Sequence, residues 1–324
     1  MSTAIPQLLK VIRPGRTIEG ASAVLLPFLP DDRIDEESFR TLVQRTLSAG
    51  LTPAVNMDTG YINLLEDDQR VHVLSLTQKV AQGRPFIAGA FIEGKTGDPF
   101  VLYREQIQLI HQAGGTPIIF PCSATKRISE KELVILFRKL GEICPQFLAF
   151  ELGEMFVPFG RIFDLATVSE LMKIPSLTGM KHSSLERELE WERLALRDKV
   201  RPDFRIYTGN DLAVDLVMYG SDYLLGLSAF YPEAFALRDL LWKKEDPGFY
   251  QLNDLIQYLG FLAFRPAVPG YKHNAAQFLH LRGLIKTNRT HPKAVTRPES
   301  DVLLLADILA RLDKMVAAYQ PRVA

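Results

Sequence analysis

Short apolar runs alternate eight times with longer stretches of helical period along this chain, and that alternation leaves few folds open. The runs cover residues 21–28, 52–57, 85–91, 116–121, 146–151, 177–182, 204–208 and 222–228. Between them, segments such as 35–49, with Phe39, Leu42, Val43 and Leu47 at helical spacing, and 66–81, with Val71, Leu74 and Val80, read as helices. The runs are apolar on both faces, as strands must be when one side fills a barrel and the other packs on helices. The expected fold class is therefore α/β, a (β/α)8 TIM barrel. An open doubly wound sheet satisfies the same count.

The chain continues past the eighth run. Residues 233–243, 249–264, 273–284 and 302–318 carry helical patterns, with turns marked by Pro266, Pro269 and Gly270. Residues 1–248 are expected to form the barrel with a short N-terminal segment, and residues 249–324 a C-terminal helical region. One barrel with these trimmings accounts for the 324 residues.

Lysine plus arginine and aspartate plus glutamate both number 38, so no long-range field would gather nucleic acid or a membrane surface. A small-molecule substrate is the expected partner. Cys122 and Cys144 are too few for a disulfide framework, and neither they nor the histidines show the spacing of a zinc site, so no metal is expected. Arg13, Pro14, Gly15 and Arg16 interrupt residues 1–20 where a secretory signal needs an unbroken apolar run. No stretch approaches the roughly 20 apolar residues that span a bilayer. A soluble cytoplasmic protein is expected.

Active sites of such barrels sit at the carboxyl ends of the strands, so polar residues that close apolar runs are the first candidates. Lys181 closes the sixth run. An ammonium projecting into the barrel mouth is partly desolvated, which lowers its pKa and frees the amine to attack a carbonyl. The competing role is a solvated lysine just past the strand.

The run Gly179-Met180-Lys181 resembles the Schiff-base strand of the dihydrodipicolinate synthase and N-acetylneuraminate lyase family of class I aldolases and lyases. Other segments match in order. Ala23-Val24-Leu25-Leu26-Pro27-Phe28 resembles the family's first strand, Asp58-Thr59-Gly60 its carboxylate-binding loop, and Ile87-Ala88-Gly89 its third strand. Gly209-Asn210-Asp211 resembles its seventh strand and Leu225-Gly226-Leu227-Ser228 its eighth, so the resemblance runs from about residue 20 to about residue 283. It implies a small 2-oxo acid such as pyruvate as substrate, a homo-oligomer (dimer or tetramer), and no cofactor, because the protonated imine is itself the electron sink. It also implies that the Thr59 hydroxyl and the amides near Gly60 hold the oxo-acid carboxylate. An ordinary strand-to-helix turn is the alternative.

The departures bear on the chemistry. Asp58 stands where the family has a second threonine, and Tyr61 where it has a glutamate. The family's relay tyrosines, one at the end of strand five and one after strand four, are absent: Pro121 is followed by Cys122 and Ser123, and strand five ends Phe147-Leu148-Ala149-Phe150-Glu151. Alternation puts Phe147, Ala149 and Glu151 on one face, which carries Glu151 toward the mouth as an acid/base, with Asp58 or Tyr61 sharing the proton. Structural pairing of Glu151 with Arg161 is the competing role. The catalytic candidates are thus Lys181, Glu151 and Asp58, and the substrate-binding candidates Thr59, Gly60, Tyr61, Ser123, Asn210 and Gly226. Asp211 either meets substrate hydroxyls or caps a helix. His182 should face outward and Ser183 inward, while Tyr271, Lys272 and His273 follow a proline turn without an assigned role.

The expected function is a Schiff-base lyase, whether aldolase, synthase or dehydratase, acting on a small 2-oxo acid through Lys181. The alternative is an oxo-acid-binding or assembly protein that keeps the barrel and has lost the relay. A metal-dependent barrel lyase or hydrolase ranks last, since only Asp58 and Glu151 stand out as strand-end ligands.

Overall fold

The structure, a computed structural model, describes residues 11–319; residues 1–10, part of the stretch read for a secretory signal, and 320–324 lie outside the described residues. Strands β1 (Gly20–Ala23), β2 (Thr52–Val55), β3 (Ile87–Ala90), β4 (Thr116–Ile119), β5 (Phe147–Leu152), β6 (Leu177–Ser183), β7 (Arg205–Thr208) and β8 (Asp222–Leu225) close on themselves in sequence order. Every neighbouring pair is parallel, and β8 hydrogen-bonds back to β1. The chain is a (β/α)8 barrel, not an open sheet.

Helices α1 (Glu36–Ser48), α2 (Asp67–Ala81), α3 (Pro99–Gln112), α4 (Ser123–Arg127), α5 (Glu130–Ile143), α6 (Leu165–Met172), α7 (Arg187–Val200) and α8 (Pro232–Lys243) lie between and after the strands. Asp35, Asp98 and Asp164 cap α1, α3 and α6 by accepting hydrogen bonds from the first-turn amides, which fixes where each helix leaves its loop. The expected helix after β7 is instead a short 3-10 segment, Val214–Tyr219, which Gly220 ends at φ 107°. The connection from β7 to β8 is too short for a full helix. β1, β2, β3, β4 and β8 end earlier than the apolar runs suggest, whereas β5 and β6 run one residue further; Pro27, with no N–H to give, follows β1, and Leu227–Ala229 after β8 is a 3-10 turn.

Two apolar layers result. Ala21, Ala54, Ile87, Ile118, Leu148, Phe150, Tyr207 and Leu224 fill the barrel, while Phe147 and Ala149 of β5, Met180 of β6 and Ile206 of β7 pack outward on the helices. Past the barrel, α9 (Gly248–Ala263), α10 (Tyr271–Leu281) and α11 (Asp301–Tyr319) pack on one another, and Leu305, Ile308 and Leu312 of α11 are wholly buried. The first turn of α10 reaches the loop after β2. Among the described residues no helix is long and apolar enough to cross a membrane.

Candidate active site

Lys181 lies on the inner face of β6, near its carboxyl end. In the parallel ladder it stands beside Phe150 of β5, and its Nζ sits 4.5 Å from the centroid of that ring. The lysine is only 7% exposed. Gly209, just past β7, makes room for it: a Cβ there would fall 2.8 Å from Lys181 Cε and 1.9 Å from Ser183 Oγ. Burial draws the amine down from 10.5 to about 8, against the pull of the Asp211 and Asp58 carboxylates, which favour the ammonium. Asp211 moves the other way. Burial lifts its carboxyl from 3.8 to about 7, although the Leu227 amide donates to Oδ1 at 2.8 Å and Lys181 favours its charged form. The two groups titrate as a pair near neutrality.

A second constellation surrounds the loop after β2, where Asp58–Gly60 form a 3-10 turn. Lys272 Nζ donates to Asp58 Oδ1 at 3.0 Å, and the Tyr271 hydroxyl donates to Asp58 Oδ2 at 2.9 Å. The same phenol lies 2.8 Å from Thr59 Oγ1. Lys272 Nζ is 5.6 Å from the Tyr61 ring and 5.4 Å from the Tyr271 ring, and Tyr271 stacks on Phe264. Gly226 belongs to this corner, since a Cβ there would come within 2.9 Å of the Tyr271 ring and 3.2 Å of Thr59 Oγ1.

Several expectations are corrected. Glu151 does not reach the barrel mouth. Phe150, not Ala149, faces inward beside Lys181, and a one-residue change of phase sends Glu151 outward with His182. There the Glu151 carboxylate accepts from the Phe163 amide at 2.8 Å, His182 Nδ1 at 2.6 Å, and Arg193 Nε and Nη2 at 2.7 Å each. Burial opposes its charge, but His182 and Arg193 outweigh that and hold the carboxyl below its usual range. A group so compensated does not exchange protons near neutrality. Nor is Arg161 its partner: Arg161 pairs with Glu130 at 2.7 Å.

Ser123 is also turned elsewhere, its hydroxyl and amide both donating to the Glu93 carboxylate at 2.6 Å. The Gly60 amide donates to the Met57 carbonyl and the Tyr61 amide to the Asp58 carbonyl, so these two N–H groups close the turn and do not point at an anion. Tyr61 takes the left-handed conformation at φ 59° and packs its buried ring edge-on to Phe28, with no hydroxyl partner among the described residues. Asn210 makes a local turn, its Oδ1 accepting from the Leu212 amide at 3.0 Å. Asp211 accepts from the amide of Leu227, the first residue of the 3-10 turn after β8.

Lys272 and Tyr271 are the residues whose placement the sequence reading left open. A signal for Lys272 existed. With Ala275, Ala276 and Leu279 it forms an i, i+3, i+4, i+7 stripe, all four buried, and a lysine inside an apolar stripe calls for a buried counter-charge.

No family model matches the chain. A curated relative, the 4-hydroxy-tetrahydrodipicolinate synthase of Kosmotoga olearia, is 27% identical over 212 residues, which cover 64% of this chain and 69% of the relative. Among solved structures, a dihydrodipicolinate synthase from Thermotoga maritima superposes with a TM-score of 0.77 at 18% identity, over 92% of this chain and 99% of that one. YagE, a prophage protein of the dihydrodipicolinic acid synthase family from E. coli K12 solved in complex with pyruvate, gives 0.78 at 16% identity, over 91% and 98%. At such identities the superpositions speak for the fold. Together with the curated relative and the colinear motifs, they support membership of this chain, as a divergent member, in the dihydrodipicolinate synthase and N-acetylneuraminate lyase family.

Proposed function

We propose that this chain is a class I lyase that joins a small 2-oxo acid to Lys181 as a Schiff base. The observation that carries the reading is a buried amine at the carboxyl end of β6, drawn down to about 8 and without a salt bridge within 4 Å among the described residues. At pH 7 the shift from 10.5 to about 8 raises the neutral fraction about three-hundred-fold. The nitrogen lone pair adds to C2 of the oxo acid, the carbonyl oxygen takes up protons and leaves as water, and the imine formed draws electrons from the adjacent carbon. Asp211, whose carboxyl burial lifts to about 7, is suited to take up and return a proton during these steps. Asp58, with both oxygens engaged, contributes chiefly its charge. The pyruvate bound by YagE supports a 2-oxo acid of that size as the first to test.

Phe150 favours a second reading, in which the barrel binds an oxo acid without turning it over, because an apolar ring stands at the inward strand-five position beside Lys181. One experiment separates the two. Incubation with pyruvate and borohydride, followed by intact-mass measurement and peptide mapping, should place a reduced adduct on Lys181. Ligand-induced stabilisation without any adduct, across several oxo acids, would leave the binding protein. The cytoplasmic location, the homo-oligomer and the division at residue 248 remain part of this proposal; light scattering tests the assembly, and a chain cut after residue 248 should lose the buried face of α11 and aggregate.

A further inference from the structure

The surroundings of Lys181 fall into two chemically different halves. On one side stand Asp211 and Asp58, the carboxylates that act on its charge. On the other, four phenylalanines meet edge to face: Phe150 and Phe120 have centroids 4.8 Å apart, Phe120 and Phe91 5.8 Å, and Phe91 and Phe159 5.9 Å. They come from the carboxyl ends of β3, β4 and β5 and from the loop after β5, so they line the same end of the barrel as the lysine. The wall also reaches the surface. Phe159 is 8% exposed, Phe156 packs half-buried against the same cluster, and Met155 next to it is 42% exposed, so apolar surface continues from the amine to solvent.

Lys181 Nζ sits 4.5 Å from the Phe150 centroid, so an oxo acid joined to that nitrogen brings C2 and its substituents against the ring. One substituent is a carboxylate. Phenylalanine rings offer it no hydrogen-bond donor, and a desolvated charge without a partner is far more costly than a desolvated hydrocarbon. The Arg70 guanidinium, 5.2 Å from the Phe91 centroid, does not supply the lack, because its Nη1 donates to the Ile62 and Leu65 carbonyls and its Nη2 to Asp67. The carboxylate therefore turns from the wall, and C3 turns toward it.

We propose that this wall selects the substrate: the 2-oxo acid joined to Lys181 carries a hydrocarbon side chain on C3, and Phe150 is the specificity-determining residue that meets it. The proposal rests on the Schiff-base reading and names the substrate class of that site. A hydroxyl on C3 would lose its water here without finding a partner. A hydrocarbon gains by leaving water.

The probes are 2-oxobutyrate and hydroxypyruvate, acids of similar size that carry a methyl or a hydroxyl on C3. The wild type should prefer 2-oxobutyrate about tenfold, in calorimetric Kd and in the half-saturation of borohydride trapping alike. Phe150→Tyr, which sets a hydroxyl on the wall, should bring the two acids to near parity, and Phe150→Leu, smaller but still apolar, should keep the preference. Equal affinity in the wild type, a preference for hydroxypyruvate, or a preference that Phe150→Tyr leaves untouched overturns the proposal. Should Phe150→Tyr fail to fold, as a melting curve will tell, the wild-type comparison decides it, and loss of the preference in Phe150→Leu also counts as refutation. Calorimetry keeps the two ideas apart: tighter binding of 2-oxobutyrate with no trapped adduct upholds the wall and sinks the Schiff-base reading, whereas an adduct formed with both acids alike does the reverse. Binding of neither acid overturns both.

Discussion

The two faces of the β5–β6 ladder, one residue apart, hold opposite electrostatic arrangements. On the inner face, Lys181 lies over the ring of Phe150, and the carboxylates that act on it, Asp211 and Asp58, do so without a direct ion pair. On the outer face, Glu151 is matched by His182, Arg193 and a backbone amide, and His182 passes its other nitrogen to Ser184 at 2.7 Å. Both faces are buried. Charge on the outer face is compensated at every lone pair that matters, and such a group has no reason to change protonation near neutrality. The inner amine is desolvated and under-compensated, which is the condition under which a lysine becomes a nucleophile. Burial alone therefore does not mark a reactive residue; incomplete compensation does.

The contrast breaks most sharply at Lys181. Lys181→Met should abolish the borohydride adduct altogether while leaving the melting temperature equal or higher, because the buried amine is costly to the fold. The stability difference should also depend on pH. Folding depresses the pKa of Lys181 to about 8, so between about 8 and 10.5 the unfolded chain binds the extra proton. Stability from this group is full above 10.5 and is lost as pH falls toward 8. The wild type should gain on the methionine variant as pH rises through that window, and parallel stability curves would remove the basis for the depressed amine.

On the outer face the expected loss is of stability. Glu151→Leu leaves the Arg193 guanidinium, 1% exposed, without its carboxylate, and should cost about 3–5 kcal/mol in denaturant unfolding. A loss below 1 kcal/mol would show that the network contributes little. Any adduct that still forms in the folded fraction should be on Lys181, since Glu151 points away from the reacting nitrogen.

The fold was legible because its period is coarse. Eight alternations survive errors of several residues in every strand end, and the inward phase of Lys181 on β6 was read correctly. Glu151 was misread for the same reason that a strand is sensitive: its side chains alternate every residue, and nothing in Phe147-Leu148-Ala149-Phe150-Glu151 says whether an alanine or a phenylalanine faces the barrel. Tyr271 and Lys272 lay beyond reach for another reason. They act on Asp58 and Thr59 from more than two hundred positions away in sequence, and only closure of the barrel with α10 over its mouth brings them together.

A smaller effect should sharpen the inner half of the comparison. Asp211 is the first of the two carboxylates that hold a proton on Lys181, so Asp211→Asn should move the pH midpoint of trapping below about 8. Asp58→Asn should move it the same way by less. An upward shift in either variant would mean that the carboxylates do not act on the amine as charge. Asp211 also gives a stability signature of opposite sign to that of Lys181. Its folded pKa is raised to about 7, so its contribution is full below the unfolded value and is lost as pH rises through about 7. The asparagine variant should lack that decline.

The smallest effect belongs to Ser123, which the sequence placed near the substrate and the structure ties to Glu93. Ser123→Ala removes one hydroxyl bond to a carboxylate and should cost about 1–2 kcal/mol of stability, with the rate and half-saturation of trapping unchanged. A rise in half-saturation of tenfold or more for any oxo acid, in a variant with an unaltered melting temperature, would return Ser123 to the substrate. It would also mean that the loops after β4 and β3 rearrange when the site is filled, since Ser123 can reach a ligand only by giving up Glu93.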